Sequence, residues 1–323
     1  MKTEEEFKQF YNLDLVAALS DLELDRKRGI KLTGFLFMCV LGAIILCSTC
    51  TSIISNGNIL SGVIAVIVLS TIALVIILTI KLYRLRKSIK TSYKQRVIKE
   101  MIAFVDPHLQ YTPKGRISET VFNASKIFLK DPNQYSGDDL VQGTIGKTDV
   151  SFSELNAIRV NRSKKNNQSE QIFKGIFFIA DFHKNFIGET FVLPDTAEKM
   201  FGKFGTFLQK MNVSRPKLVK LENPEFERTF AVYGTDQVEA RYILTPALME
   251  RIMDFKRKSG NVHLSFLHSK VYIAIEVNKN LFEPPFFKSM LDYSLISEYF
   301  SYLILTVNIV EDLDLNTRIW SKE

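Results

Sequence analysis

Cysteine is scarce in this chain of 323 residues, and the three that occur, Cys39, Cys47 and Cys50, lie within one apolar stretch. The rest of the chain therefore has no thiols, which excludes disulfides and thiolate-ligated metals from it. Such a lack of disulfides is consistent with a reducing compartment. We interpret the three cysteines as small, polarisable side chains in a helix interface, rather than as redox or lipidation sites.

Charged residues are missing altogether from Leu32 to Ile80. This stretch predicts two membrane-spanning helices, Leu32–Ile54 and Ile59–Leu82, joined by a short uncharged turn. About 22 residues at roughly 1.5 Å per residue cover the hydrocarbon core of a bilayer, which is about 30 Å thick. Residues 32–82 are thus expected to form a transmembrane helical hairpin.

The larger, C-terminal part of the chain has no excess of either charge. The formal net charge is +7, and residues 1–99 hold 14 Lys and Arg against 7 Asp and Glu. Residues 100–323 hold 28 of each kind. A protein that binds phosphate backbones is expected to carry its basic excess on the folded domain. We therefore expect no nucleic-acid partner.

Basic residues flank both outer ends of the predicted hairpin, whereas its connecting turn has none. Because cytoplasmic flanks of membrane spans are enriched in Lys and Arg, this distribution places both termini in the cytoplasm. Residues 1–31 are then a cytoplasmic amphipathic arm, with Phe7 and Tyr11 on its apolar face. Residues 83–106 are predicted to be a basic juxtamembrane helix.

The juxtamembrane helix offers five candidates for contact with anionic lipid headgroups: Arg84, Arg86, Lys87, Lys90 and Lys94. Each basic residue near a membrane surface contributes about 1 kcal/mol to such binding. The same residues could instead serve only to orient the hairpin. Both interpretations make the lipid bilayer the first partner expected.

Residues 107–323 are predicted to form a cytoplasmic α+β domain in which helices flank an antiparallel sheet. Apolar or alternating segments predict strands at Leu140–Ile145, Asp149–Leu155, Ala157–Arg162, Ile172–Phe182, Glu189–Leu193, Leu218–Leu221, Phe226–Val232, Val262–Leu267 and Val271–Val277. Amphipathic segments predict helices at Thr196–Met211, Pro246–Lys258 and Phe287–Ile309. The polar run Ser163–Glu170 is predicted to be a loop. The domain is either one unit or two sub-domains with a break near residues 212–217.

Motifs that carry chemistry are incomplete in this chain. The segment Gly143–Thr148 ends like a phosphate-binding loop, but Val141 stands where the pattern needs glycine, and a strand is predicted to follow. Asp131–Gly137 departs from a calcium loop at its third ligand position. No pair among the four histidines has zinc-ligand spacing. We therefore assign no catalytic, cofactor-binding or metal-ligating residue and expect no cofactor.

Carboxylates leave an alternative function open. Asp181, Asp195, Glu239 and Asp312 could form a pair that the fold brings together for acid–base chemistry. A membrane-bound enzyme with a carboxylate or histidine site is therefore the alternative to a binding function.

An aromatic–proline stretch is a candidate partner groove. Its residues Phe282, Pro284, Pro285 and Phe286 could line a groove that binds a peptide. A rigid loop that plugs the edge of the core explains the same stretch, and the sequence favours that simpler explanation.

Six segments, taken in order, point to a known family: Tyr135–Leu140, Phe173–Phe182, Phe191–Asp195, Gln237–Met249, Phe282–Phe286 and Asn316–Trp320. On these segments the chain resembles the bacterial membrane-anchored proteins of domain of unknown function family 3137, sometimes mislabelled galanin-like. The resemblance implies a multi-pass protein of the bacterial inner membrane with a cytoplasmic domain. It also implies a LemA-like membrane protein as a partner, and it supplies no catalytic residue.

These features predict a membrane-anchored cytoplasmic binding or scaffolding module. A neutral domain without a cofactor motif, attached to two membrane spans, favours this function over an enzyme. The expected partner is another protein or a second copy of the chain. Gly34 and Gly42, on a face of the first span that also carries cysteines, could pair helices between copies.

Overall fold

The computed structural model describes residues 2–53, 59–162, 167–182, 186–194 and 216–315. The chain forms two compact units. The helical unit comprises Thr3–Glu100 and Glu283–Ser297, and the sheet unit comprises Met1–Lys2, Met101–Phe282 and Glu298–Glu323. The predicted hairpin turn, the predicted helix at 196–211 and most of the predicted break near 212–217 lie outside the described residues.

The α-helices that the structure describes are, in chain order, α1 (Glu4–Phe10), α2 (Val16–Ile53), α3 (Ile59–Tyr93), α4 (Lys99–Val105), α5 (Glu119–Ala124), α6 (Pro224–Thr229), α7 (Gln237–Ile243), α8 (Pro246–Ser259) and α9 (Tyr293–Asp312). Two π-helical turns, Tyr11–Leu15 and Lys94–Ile98, join α1 to α2 and α3 to α4. Helix therefore continues without a break through each of these joints.

The N-terminal arm is helical, as its apolar spacing predicts. Thr3 begins the helix through a capping box, in which its hydroxyl accepts a hydrogen bond from the Glu6 amide and its own amide donates to the Glu6 carboxylate. Phe7, Tyr11 and Leu15 are buried. The apolar face of the arm is thus covered by protein.

The basic juxtamembrane segment is also helical, and α4 ends at Val105, directly before Asp106-Pro107. A residue before proline disfavours helical backbone, which explains this end. α3 packs along α2. On the apolar stripe of the juxtamembrane segment, Ile89, Tyr93 and Val97 are buried, as predicted.

Three helical stretches in the described part of the chain are long and apolar enough to cross a membrane: Glu4–Ile45, Val66–Val105 and Tyr293–Asp312. The first two overlap the predicted spans Leu32–Ile54 and Ile59–Leu82. Many of their apolar side chains are exposed, including Phe35, Phe37, Met38, Ile44, Leu69, Ile76 and Ile77. The third differs, because Leu303, Ile309 and Val310 on it are buried inside the protein.

The sheet unit is built on nine strands: β1 (Gln110–Thr112), β2 (Gln134–Ile145), β3 (Thr148–Arg162), β4 (Asn167–Asp181), β5 (Thr190–Pro194), β6 (Lys217–Leu218), β7 (Phe230–Gly234), β8 (Val262–Leu267) and β9 (Lys270–Glu276). Their order across the sheet is β1-β2-β3-β4-β9-β8-β5-β7-β6, and every neighbouring pair is antiparallel. The predicted α+β class with an antiparallel sheet is therefore confirmed.

Aromatic side chains hold the core of the sheet unit together. Phe122 on α5 is buried, and its ring lies 5.1 Å from that of Phe177 and 6.0 Å from that of Phe173, both on β4. Phe128 stacks on the same ring at 5.3 Å. Such ring pairs add to the free energy of burying apolar area, so this cluster attaches α5 to the sheet.

Predicted strand limits are wrong at β2, which begins at Gln134 rather than at Leu140, and at β3 and β4. β3 runs without a break through Asn156, because Asn156 is paired on both sides, with Ser136 of β2 and with Lys174 of β4. β4 begins at Asn167, so the end of the predicted loop at 163–170 is strand. These residues are polar and show no alternation of apolar and polar side chains, so the sequence does not identify them as strand. The hydrogen bonds between β3 and β4 nevertheless extend the strands through them.

Two further boundaries differ from the prediction for reasons of helix capping. Phe226 lies in α6 rather than in a strand, because the Asn223 side chain accepts hydrogen bonds from the amides of Glu225 and Phe226. The helix predicted from Phe287 begins only at Tyr293, after Asp292, whose carboxylate accepts from the Ser294 amide at 3.0 Å. The residues 287–292 are therefore loop, not helix.

Candidate functional site

The sheet order brings two distant segments to the start of α7. Gly234, the last residue of β7, pairs with Thr190 of β5 on one side and with Lys217 of β6 on the other. The chain turns into α7 directly afterwards. The loop before β5 and the edge strand β6 therefore both reach the N-terminal end of this helix.

Asp236 begins α7 by accepting hydrogen bonds on its carboxylate from the amides of Val238 and Glu239, at 2.8 and 3.0 Å. A carboxylate at this position satisfies amides that the helix cannot pair and interacts favourably with the helix dipole. The cap thus fixes the direction in which the side chains of the first turn extend.

Glu239 holds the loop before β5. Its carboxylate accepts hydrogen bonds from the Ile187 amide at 3.0 Å and the Gly188 amide at 2.6 Å. The Thr235 hydroxyl accepts from the Glu189 amide at 2.8 Å. A Cβ atom at Gly188 would lie 2.7 Å from the Thr235 hydroxyl oxygen and 2.9 Å from a Glu239 carboxylate oxygen, so only glycine fits without a shift.

Gln237 and Arg241 hold the other side. The Gln237 amide group donates to the Leu218 carbonyl at 3.0 Å, and the Arg241 side chain donates to the Lys220 carbonyl at 3.1 Å. Both contacts reach β6 or the residues just after it. One short helix therefore ties together two segments that flank it.

The surface that results is apolar and exposed. The exposed fractions are 98% for Ile187, 75% for Val238, 51% for Leu218 and 44% for Tyr242. Val238 and Tyr242 are one turn apart on the outer face of α7, whereas Ala240 and Ile243 on its inner face are buried. We call these four side chains, Ile187, Leu218, Val238 and Tyr242, the α7 surface.

An open depression of about 480 Å³ lies where β3 begins, β4 ends and the chain turns from β8 into β9, and most of the residues that line it are polar. Its walls include Asp149, Asp181, His268 and Lys270. The Asp149 carboxylate accepts a hydrogen bond of 2.8 Å from the hydroxyl of Thr144, its partner at the end of the β2–β3 pair. This bond stabilises the end of the hairpin. His268 lies in the tight turn between β8 and β9 and has a positive φ of 51°.

Of the four carboxylates considered from the sequence, the three that the structure describes, Asp181, Glu239 and Asp312, make different contacts in the sheet unit. Asp181 lines the depression, Glu239 holds the loop at α7, and Asp312 forms an ion pair with Lys258 at 3.1 Å. Asp195 lies outside the described residues. The structure thus gives Glu239 and Asp312 contacts that stabilise the fold.

The five headgroup candidates lie on or next to α3 in two kinds of environment. Arg84, Arg86, Lys87 and Lys90 are exposed, with the Arg86 guanidinium 3.9 Å from the centre of the Phe286 ring. Lys94 is only 2% exposed and, like Lys90, forms an ion pair with Glu283, at 2.9 and 2.6 Å. Lys94 therefore faces protein, and the lipid-binding role of the other four stays a prediction.

The groove candidates are divided between the two units. Phe282 belongs to the sheet unit, where it is 3% exposed and packs on Tyr299 at 5.7 Å between ring centres. Pro284, Pro285 and Phe286 belong to the helical unit and are half-buried. Phe282 thus contributes to the core, and a partner groove at this stretch stays a prediction.

The α7 surface was not identified in the sequence. A capping aspartate before Gln237 and an exposed Val238 among polar neighbours are local signals that predict a helix with an apolar residue facing outward. Ile187 and Leu218 carry no such signal, because only the pairing of β5 and β6 with β7 brings them to α7.

The comparisons with known proteins give one match to a family model, over part of the chain, and one structural likeness. The family model described as "Protein of unknown function (DUF3137)" matches residues 171–315. No curated protein matches the chain. A crystal structure of the mycobacterial trehalose monomycolate transport factor A, TtfA, is similar at 8% identity and a TM-score of 0.34, over 66% of this chain and 92% of that one.

The TM-score of that likeness is too low to bear on fold or function. The family match covers four of the six segments that carry the resemblance in the sequence, and it includes α7 and the segments that α7 holds. The predicted resemblance to the DUF3137 family is therefore confirmed over residues 171–315.

Proposed function

We propose that this protein is a membrane-anchored binding module at the inner face of a bacterial cytoplasmic membrane. In this proposal α2 and α3 form a transmembrane hairpin and both termini lie in the cytoplasm. The exposed apolar side chains of the two helices support the anchor, since lipid would cover them. The basic residues on both outer flanks of the uncharged run support the orientation.

The observation that carries the binding function is the α7 surface. Single exposed apolar residues are normal on proteins, but a patch of them with polar neighbours is typical of an interaction site. Here three segments present apolar side chains, and side chains of α7 hold the other two segments by hydrogen bonds to their main chains. A surface held in this way loses little conformational freedom on binding.

The partner that fits is a protein with an apolar face at the same membrane. Confinement to a thin layer next to the bilayer raises the effective concentration of two anchored proteins, so a weak contact suffices. A LemA-like membrane protein meets this description, as does a second copy of the chain. The alternative of a membrane-bound enzyme has less support, because the three carboxylates that the structure describes, Asp181, Glu239 and Asp312, make separate contacts and the polar depression is open.

A photo-crosslinking experiment tests the binding function. We would incorporate p-benzoylphenylalanine in place of Val238 in the full chain, with Ala247 of α8, which is also exposed, as the matched control position. We expect a crosslinked product from position 238 that is lost with the Ile187→Asp change, and none from position 247. The mass of the product distinguishes a second copy from another protein. Equal products at both positions, or none at 238, would contradict the proposal.

The orientation has its own test. Glu250 is exposed on α8, and the three native cysteines can be replaced by alanine. A Glu250→Cys variant in this background should resist a membrane-impermeant maleimide in intact spheroplasts and react after lysis. Reaction in intact spheroplasts would place the sheet unit outside the cell.

A further inference from the structure

Within the helical unit, the segment that follows Glu283 is held against α2 by a buried ion pair. The Arg26 guanidinium and the Glu23 carboxylate form two hydrogen bonds, at 2.6 and 2.7 Å, and both side chains are less than a tenth exposed. Arg26 also donates to the Phe286 carbonyl at 2.9 Å, and the Met290 amide donates to Glu23 at 3.0 Å. The residues 286–290 are therefore fixed at two points to α2.

A third contact continues this attachment. The Tyr11 hydroxyl donates to the Leu291 carbonyl at 2.9 Å, and its ring packs edge-on against Tyr293 at 5.1 Å. The segment from Phe286 to Leu291, which we call the interfacial loop, is thus held in one position by the N-terminal helix.

The height of this loop can be read along the two long helices. A Cβ atom at Gly29 would lie 3.1 Å from the Phe286 ring and 3.5 Å from Leu85, so the ring lies level with these two residues. Gly29 is three residues before Leu32, and Leu85 is five residues after Ile80. At 1.5 Å per residue these offsets are about 4.5 and 7.5 Å from the ends of the uncharged run.

Those offsets match one layer of a bilayer. The headgroup region adds roughly 5–7 Å on each side of the hydrocarbon core. The Phe286 ring therefore lies at the level of the headgroups if the uncharged run spans the core. Aromatic side chains at this depth bury their rings at the boundary between headgroups and acyl chains.

Phe287, the next residue, is largely exposed and is not buried by other parts of the protein. Its side chain is 78% exposed, and its ring contacts Phe286 edge-on at 5.2 Å. Tyr83, three residues after Ile80, is 65% exposed at the same level. Lys288, next to Phe287, and Arg84 and Lys87, on either side of Leu85, are exposed and carry the positive charge that anionic headgroups attract.

From this placement we propose that the interfacial loop is a third membrane contact, in which Phe287 inserts its ring into the headgroup layer beside the hairpin. The occupant of the exposed aromatic surface is lipid, because the start of the loop, at Phe286 and Phe287, is fixed at headgroup height and basic side chains accompany it. This inference rests on the proposed membrane anchor and adds to it a contact made by a segment more than two hundred residues away in the chain.

Fluorescence in vesicles tests the insertion. The chain has a single tryptophan, Trp320, so a Trp320→Phe background allows one reporter at a time. Three full-length variants would be reconstituted in phosphatidylethanolamine–phosphatidylglycerol vesicles, with or without brominated acyl chains: Phe287→Trp, Ile76→Trp within the uncharged run, and Leu13→Trp on the N-terminal helix. Ile76 and Leu13 are 53% and 79% exposed, which makes them matched positions.

We expect bromolipid to quench most of the emission of the Ile76→Trp variant and at least half of that of the Phe287→Trp variant. The Leu13→Trp variant should keep its emission, because Leu13 lies 16 residues before Gly29, or roughly 24 Å along the helix.

Other results separate the two proposals. Quenching at position 76 without quenching at position 287 would overturn the loop contact and leave the anchor intact. A blue-shifted but unquenched signal at position 287 would show that protein, either a partner or a second copy, covers Phe287, and would equally overturn it. Loss of quenching at position 76 would overturn the anchor and the loop contact together.

Discussion

The Glu239 carboxylate accepts a hydrogen bond of 2.6 Å from the amide of Gly188, which lies 51 residues earlier in the chain. The same carboxylate accepts from the next amide towards the N-terminus, that of Ile187. One acid on α7 therefore holds the loop whose exposed Ile187 side chain belongs to the α7 surface. Several consequences of this and of other contacts can be measured.

Removal of the Glu239 charge should loosen the loop. Hydrogen bonds to charged groups contribute about 1.5–3 kcal/mol each, so Glu239→Gln, which keeps one acceptor oxygen, should cost about 1–2 kcal/mol locally. Amide hydrogen exchange at Ile187 and Gly188 should then be roughly five- to thirtyfold faster. The matched control is Glu250→Gln on the exposed side of α8, which should leave these amides unchanged. Equal protection in both variants would show that the loop is held by other contacts.

Arg26→Met should destabilise the helical unit severely. The change removes the cation that hydrogen-bonds to the buried Glu23 carboxylate and leaves only Lys27, at 3.9 Å, and the loss of a buried partner typically costs about 3–5 kcal/mol. Thermal unfolding of the detergent-solubilised chain measures the loss. Arg28→Met is the control, because its pair with Asp25 is exposed and should contribute less than about 1 kcal/mol. Similar melting temperatures for the two variants would mean that the buried pair does not hold the loop.

Acid should weaken the contact between β8 and β9 at Glu276. The hydrogen bond from His263, at 2.9 Å, holds the pKa of the Glu276 carboxyl below its usual value. A lowered folded-state pKa stabilises the protein above the unfolded pKa of about 4.3, and this contribution is lost as the pH falls through the folded value. The Glu276 side chain is 37% exposed, so the contribution should stay below about 1 kcal/mol.

A comparison of Glu276→Gln with the parent chain tests that acid dependence. The variant should show a smaller loss of unfolding free energy between roughly pH 5 and pH 3. Identical acid profiles would mean that the His263 contact does not contribute to folding.

Gly175→Ala should prevent stable folding of the sheet unit. Gly175 has a φ of +150°, and a Cβ atom there would lie 2.0 Å from the Ile275 carbonyl oxygen in the neighbouring strand. Because the backbone fixes the position of the Cβ atom and the oxygen belongs to the main chain, neither can rotate away, and we expect a loss of more than about 4 kcal/mol. Gly260→Ala is the matched control, since its φ is +84° but the space around it is open. It should cost only about 1–2 kcal/mol, and thermal unfolding of both variants distinguishes the two costs.

Local pattern decided much of the architecture. The uncharged run from Leu32 to Ile80 indicates two long apolar helices, because the period and length of a helix are properties of neighbouring residues. Alternation in β8 and β9 likewise indicates strands whose ends agree with the structure to within one residue. The prediction was wrong where hydrogen bonds decided the structure against the local pattern of apolar residues. Strand pairing places the polar Asn167 in β4, and a helix cap places the apolar Phe226 in α6.

The candidate site was less visible. Glu239 was one of four acids that the sequence could not place, and only the pairing of Thr190 with Gly234 brings the loop before β5 within its reach. The interfacial loop has the same origin, because Arg26 and Phe286 are 260 residues apart. Composition and spacing carry no information about such distant pairs.

The sequence by itself thus determined that the chain has an uncharged double-helical stretch with basic flanks, followed by a neutral antiparallel α+β domain. Only the tertiary structure decided which side chains meet at α7 and at what height Phe287 is held. The reason is physical: periodicity and charge act over a few neighbouring residues, whereas strand order and buried hydrogen bonds join residues that the chain keeps far apart.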